Sequence, residues 1–215
     1  MPEITTSPFI LVVVAALGYL LGSVPFGMVM ARLFGLGDLR TIGSGNIGAT
    51  NVLRTGNKLA AFLTLIGDAG KGGAAVLLAR AAFGEDAGQV AGLSAFLGHG
   101  FPLYLAFRGG KGVATFLGTL IALSWPMGLA VCATWLAAAY WSRISSAGAL
   151  AAAASAPVWA LILRPDAFLW TLVMGGLVIL WHRPNIERIR AGREPKIGGA
   201  REGRRVKRRL PLWLR

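Results

Sequence analysis

Charge is scarce in this chain. Lys, Arg, Asp and Glu together supply 14% of its 215 residues, hydrophobic residues supply 55%, and the mean hydropathy is +0.61. A soluble domain carries roughly a quarter charged residues. A fold with water on every side would therefore lack the material to cover itself, and the bilayer is the expected solvent. Cysteine is nearly absent too. The single Cys132, within "GLAVCATWLAAAYW", permits no disulfide inside the chain and reads as a small packing residue. Two histidines and nine acidic residues give no cluster with metal-ligand spacing, so neither a metal nor a cofactor is expected. No G-x-S-x-G elbow and no catalytic cysteine pattern occurs, so nothing signals a covalent nucleophile. No basic stretch precedes the first apolar run and no small-residue cleavage site follows it. Residues 9–34 are thus expected to be a retained span rather than a removed signal.

What the chain has instead is apolar runs. Against a requirement of roughly 20 residues per crossing, they lie near 9–34, 59–83, 88–107, 112–124, 126–141, 145–163 and 167–181. The expected fold is an all-α polytopic membrane protein of about seven transmembrane helices. Two runs, 112–124 and 167–181, are short, which leaves a five-span count open. Basic residues concentrate in alternate connectors: Arg40, Arg54 and Lys58 in 35–58, Arg108 and Lys111 in 108–111, Arg143 in 142–144. The connector 84–87 carries Glu85 and Asp86, and 164–166 holds one charge of each sign. Cytoplasmic loops are enriched in Lys and Arg, so the basic connectors should share the cytoplasmic side. The segment from His182 onward holds twelve Lys or Arg against three Glu, which places the C-terminus in the cytoplasm and the N-terminus outside. Within it, residues 200–215 form a basic tail beyond the membrane domain 1–199, suited to anionic lipid rather than nucleic acid.

The stretch "RTIGSGNIGATNVLR" (40–54) contains a literal G-x-G-x-x-G, from Gly43 to Gly48. A dinucleotide fingerprint needs a preceding strand and a following helix in a βαβ unit, and this one lies between membrane spans. The surviving physics is an anion pocket: Gly43 and Gly45 let backbone N–H groups approach a phosphate, and Arg40, Arg54 and Lys58 surround them. Ser44, Asn46, Thr50 and Asn51 add short polar side chains for phosphate oxygens or sugar hydroxyls. A second stretch, "GHGFPLYLAFRGGKGVAT" (98–115), sets Lys111 among glycines. It is not a Walker A loop, because Leu105 and Gly112 stand where Gly and Ser or Thr are needed. A third, "HRPNIERIRAGREPKIGG" (182–199), opens with His182, Arg183 and Asn185 at the end of the last span. Asp68 and Lys71, three apart on one helix face, read as either functional groups or a structural ion pair. His99 reads as a hydrogen-bonded packing residue.

At these residues the sequence resembles the bacterial integral-membrane acyl-phosphate:glycerol-3-phosphate acyltransferases. "GSVPFG" (22–27) with "DLRTIGSGNIGATNVLR" (38–54), the 98–115 stretch and "HRPNIERIRAGREPK" (182–196) carry the resemblance. It implies a seven-span enzyme of the bacterial plasma membrane, active on the cytoplasmic side. The implied reaction moves a fatty acyl group from acyl phosphate to the 1-hydroxyl of sn-glycerol 3-phosphate, giving lysophosphatidic acid and phosphate. By resemblance, Ser44, His182 and Asn185 are the catalytic residues. Gly43, Gly45, Asn46, Thr50, Arg54, Lys111 and Ser146 bind phosphate and glycerol. An acyl phosphate is already activated, so alignment and oxyanion stabilisation suffice. The proton is expected to leave on the donor phosphate, with His182 orienting the reactants and donating a hydrogen bond; His182 as general base is the alternative. A transporter of phosphorylated metabolites is the rival from another class, against which stand three motifs on one face and no inverted repeat in the hydropathy.

Overall fold

Residues 3–198 are described by the computed structural model, and the basic segment 200–215 lies outside them. The described residues are all-helical, with no strand among them. Ser7 caps α1 (Pro8–Gly22), which uses Pro8 in its first turn. Its successor α2 (Phe26–Leu33) is separated by a break at Ser23–Pro25, where proline lacks the N–H needed to continue a helix. The single run 9–34 is thus two helical pieces. A long loop then carries the short α3 (Ala49–Leu53). The central α4 (Lys58–Phe83) is capped by Asn57, whose side chain accepts from the Ala60 N–H at 2.9 Å.

The chain returns through α5 (Glu85–Gly100), α6 (Val113–Leu123), α7 (Trp125–Ser142), α8 (Ser145–Leu163) and α9 (Phe168–Trp181), and ends in α10 (Arg183–Arg190). Every expected apolar stretch is helical, but the run 88–107 is helical only to Gly100. Its last part is a loop with Pro102 and with left-handed backbone at Ala106 and Phe107. Among the described residues three stretches are long and apolar enough to cross a membrane: Pro8–Leu33, Lys58–Phe83 and Ser145–Leu163. The bent pair Pro165–Trp181 and Arg183–Arg190 makes up to four. At 1.5 Å per residue the 11-residue α6 reaches only about 16 Å.

Close helix contacts come from small residues, as expected where lipid removes the hydrophobic drive between helices. On α1, Gly18 and Gly22 lie against Ala91 and Ala95 of α5, and on α6, Gly118 lies against Ala69 of α4. Phe96, Phe116, Leu120, Met127 and Met174 build the main core among α5 to α9. Outward faces carry Phe9, Leu78 and Leu136, all more than half exposed. On α7, Trp125 at one end and Tyr140 with Trp141 at the other are exposed, about 24 Å apart along the helix. That spacing suits the two aromatic belts of a bilayer.

Apart from Asp68 and Lys71 at its middle, charge on and around α4 gathers at its two ends. At its C-terminal end Arg80 meets Glu85 at 2.9 Å, and Arg164 meets Glu85 and Asp166 at 2.6 and 2.7 Å. The chain start is pinned there too, with Thr5 and Thr6 N–H groups donating to Asp86 at 3.0 and 2.7 Å. Near the other end lie the three glycine- and cation-bearing segments.

Candidate active site

The first segment folds around one buried amide. Asn51 donates from Nδ2 to the carbonyls of Asn46, Ile42 and Leu39 at 2.7, 3.0 and 2.9 Å, and its Oδ1 accepts from the Ser44 N–H at 3.1 Å. That side chain is 1% exposed and has no capacity left for a ligand. Asn51 therefore shapes the loop; the expectation that it holds phosphate or sugar is corrected. Gly43 and Gly45 take φ of +55° and +70°, a region that favours glycine, so the turn around Ser44 needs both. Asn46 Oδ1 accepts from the Gly48 N–H at 3.1 Å, just ahead of α3. Ser44 stays exposed.

The second segment folds back over the end of α5. The Gly110 N–H donates to the His99 carbonyl at 3.1 Å, serving one of the carbonyls that a helix terminus leaves open. The first two segments are joined where Arg40 Nη2 donates to the Arg108 carbonyl at 3.2 Å.

The third segment begins where α9 stops. Pro184, in the first turn of α10, forbids a straight continuation, and the chain bends by 58° at His182. Asn185 then meets Lys111, whose ammonium donates to Asn185 Oδ1. Asn185 Nδ2 donates to Glu194 Oε1 at 2.6 Å, Ser146 Oγ donates to the same oxygen at 2.7 Å, and Arg188 Nε donates to Oε2 at 2.6 Å. Glu194 ties α8, α10 and the following loop together. Its burial would raise the carboxyl pKa, but the bonds from Ser146, Asn185 and Arg188 outweigh that and hold it below the usual range.

The first two segments, with Trp181 at the end of α9, form a cleft of about 330 Å³ lined by Ser44, Gly45, Asn46, Gly100, Phe101, Gly109, Gly110, Lys111 and Trp181. Behind its wall stand Arg54, Arg188 and Glu194, which share their fields with Lys111. Lys111, Arg54 and Arg188 bring positive charge to this end of the bundle, with Glu194 among them, a setting that attracts a phosphate. Burial lowers the Lys111 pKa to about 8, helped by Arg188 and Arg54 and opposed by Glu194. Burial also lowers Arg54.

His182 is 3% exposed, and its Nδ1 lies 2.7 Å from the Val178 carbonyl. A carbonyl only accepts, so Nδ1 carries the hydrogen. Burial pushes the ring pKa down to about 4, against the pull of the Val178 carbonyl and with the push of Lys111. The neutral ring keeps Nε2 as a lone-pair acceptor. The expectation that His182 donates a hydrogen bond to the reactants is corrected, because its proton is committed to Val178.

Of the residues singled out in the sequence, Ser44, Gly45, Asn46 and Lys111 line the cleft. Gly43 packs on Asn51 and Arg54, and Asn185 bonds Lys111. Ser146 is directed to Glu194, and the Thr50 hydroxyl lies 3.2 Å from Ser145 Oγ; neither is a cleft-lining side chain. Glu194 and Arg188 were not singled out. Their signal was an acidic residue, Glu194, kept inside the otherwise basic 188–196 run. A larger apolar groove of about 750 Å³ between α4 and α6 contains none of these residues.

A cationic, glycine-lined cleft at the end of a bundle of apolar helices defines a helical membrane protein equipped for a phosphorylated ligand. Residues 12–192 match the glycerol-3-phosphate acyltransferase family, and the chain belongs to it. It is 64% identical over 198 residues to the glycerol-3-phosphate acyltransferase of Jannaschia sp., covering 92% of this chain and 98% of that one. With the Cereibacter sphaeroides enzyme it shares 61% over 199 residues, 92% and 95% of the two chains. Among solved structures it resembles the glycerol 3-phosphate form of PlsY (YgiH), an integral membrane glycerol 3-phosphate acyltransferase. The TM-score is 0.82 at 38% identity, covering 86% of this chain and 94% of that one. The lysophosphatidic acid form of PlsY gives a TM-score of 0.78 at 36% identity, with the same coverage.

Proposed function

We propose that this chain is an integral membrane acyltransferase that moves a fatty acyl group from acyl phosphate to the 1-hydroxyl of sn-glycerol 3-phosphate. The products are lysophosphatidic acid and inorganic phosphate, and the step opens phospholipid synthesis. The observation that carries this reading is the Lys111–Asn185 contact, which joins two of the three segments beside a cleft whose wall the first supplies.

Both substrates are phosphorylated, and the cleft offers cations and glycine backbone to both. Lys111, Arg54 and Arg188 supply charge for glycerol 3-phosphate. The Ser44 hydroxyl, with the backbone N–H of Asn46, suits the donor phosphate and the oxyanion that forms as the hydroxyl attacks the acyl carbonyl, while the Gly45 N–H is kept by the Ile42 carbonyl at 2.9 Å. His182 Nε2 accepts a hydrogen bond from the 1-hydroxyl and orients it. An imidazole with a pKa of about 4 is a weak base near neutrality. The C–O bond to the acyl group forms, the acyl–phosphate bond breaks, and the departing phosphate takes the proton. No covalent enzyme intermediate is needed. Asn185 holds Lys111, and Ser146 holds Glu194, so both serve the site through a neighbour. Gly43 sets the turn, and Thr50 lies at its rim.

The basic connectors support seven crossings of a bacterial plasma membrane, with the cleft on the cytoplasmic side and the N-terminus outside. The tail 200–215 suits anionic lipid beside the membrane domain 1–199.

Donor identity tests this reading. Purified enzyme given labelled glycerol 3-phosphate is expected to form lysophosphatidic acid from palmitoyl phosphate and not from palmitoyl-CoA. Product from the thioester alone would overturn it. Uptake of glycerol 3-phosphate into proteoliposomes without any donor would favour transport.

The Lys111 titration sets a pH dependence. Its ammonium binds phosphate and is lost as pH rises through about 8. KM for glycerol 3-phosphate is therefore expected to rise above that pH, and the rise should vanish in Lys111→Met, whose KM is high throughout. Steady-state kinetics from pH 6.5 to 9.5 measures this; a wild-type KM flat across that range would contradict it.

A further inference from the structure

Beneath the cleft, inside the bundle, three ionisable groups meet. Lys71 Nζ donates to Asp68 Oδ1 at 2.8 Å and to the Val24 carbonyl at 2.8 Å, and lies 2.9 Å from His99 Nδ1. All three residues are no more than 4% exposed. An ammonium has three donors, and three acceptors surround this one, so His99 Nδ1 is the acceptor and its hydrogen sits on Nε2. The trio joins the α1–α2 break, α4 and α5 at one point. Such a buried arrangement is costly in a membrane and is not needed to pack helices that glycine and alanine already bring together.

The other edge of the ring explains its position. His99 Nε2 lies directly under Gly110, so closely that a Cβ there would overlap it. Gly109 is packed as tightly over the His99 carbonyl and Pro102, and the Gly110 N–H bonds that carbonyl. Gly109, Gly110 and Lys111 all line the cleft. The loop that presents Lys111 thus rests on His99 through both ring and backbone.

We infer that Asp68, Lys71 and His99 are positioning residues: together they fix the seat on which Gly109–Lys111 rests, and so set the Lys111 ammonium against the substrate phosphate. None of the three touches substrate. Asp68 orients Lys71, Lys71 holds the His99 ring, and the ring sets the height of Gly110. The inference rests on the acyl transfer proposed above.

The test uses the full-length enzyme with palmitoyl phosphate and a titration of glycerol 3-phosphate. In Asp68→Asn/Lys71→Met both charges go with little change of volume, and removing both partners together leaves no uncompensated buried charge. The expected result is a KM for glycerol 3-phosphate raised about tenfold or more, as for about 1.4 kcal/mol of lost phosphate contact, with a melting temperature near wild type. Unchanged KM in the folded variant, whatever happens to kcat, overturns the inference, because a purely structural ion pair would leave it so. Should that variant fail to fold, His99→Asn decides by the same criterion: its Oδ1 can still accept from Lys71, but the ring edge under Gly110 is gone. Absence of turnover in the wild type would instead count against the acyl transfer itself.

Discussion

Glu194→Gln is expected to cut kcat by about a hundredfold while leaving KM for glycerol 3-phosphate nearly unchanged. Glu194 accepts three hydrogen bonds, from Ser146, Asn185 and Arg188. Bonds to a charged group are worth about 1.5–3 kcal/mol each. The amide can accept on one oxygen only; when that oxygen stays on the Arg188 guanidinium, the NH2 takes the place of Oε1 and meets the Asn185 Nδ2 as donor against donor. At least one bond is lost and Asn185 is released, so the Lys111 partner drifts. At about 1.4 kcal/mol per factor of ten, losing one such contact gives the stated fall. The charge change works the opposite way on binding: removing a carboxylate beside Lys111 and Arg188 makes the cleft more attractive to phosphate. Misalignment therefore shows in kcat and compensation in KM. Steady-state kinetics on both substrates distinguishes the two; an unchanged kcat would mean that Glu194 does not hold the site.

Lys111→Met carries the second large effect. Methionine keeps the length and apolar stem of lysine but removes the charge and the donor to Asn185. Lys111 holds the phosphate of glycerol 3-phosphate, so its loss removes ground-state attraction and also misplaces the attacking hydroxyl, an error of about 1 Å being able to cost about a hundredfold in rate. Both kcat and KM should suffer, with kcat/KM lower by about three orders of magnitude. Lys111→Arg is expected to recover only part of this, because the planar guanidinium cannot occupy the compact place between Asn185 and the glycine backbone. Full activity in Lys111→Met would remove the ammonium from the mechanism.

The helical, membrane-type architecture was legible because scarcity of charge and long apolar runs are bulk properties, read without knowing any contact. The three glycine- and cation-bearing segments were legible for a related reason: glycine and a basic residue were clustered locally in each. What the pattern did not convey was the direction of side chains. Asn51 looked as available as Ser44, yet the turn's own carbonyls consume it, and a turn cannot be closed on paper. His182 looked like a donor until the Val178 carbonyl, one helical turn earlier, claimed its proton. Glu194 passed as one more charge in a basic stretch, because its partners lie up to 48 positions away. Asp68 and Lys71 were visible as a pair. Their third member, His99, reaches them from α5 across 28 positions of sequence, a distance no periodicity spans.

The central claim is that one cleft, lined by the first two segments and braced by the third through Asn185, performs the acyl transfer. Phosphate release from palmitoyl phosphate tests it most directly, measured with and without glycerol 3-phosphate for wild type, Ser44→Ala and Arg54→Ala. The predicted result is release that depends on glycerol 3-phosphate, is matched by lysophosphatidic acid, and collapses in both variants. Release that is independent of glycerol 3-phosphate, or that survives both substitutions, would contradict it.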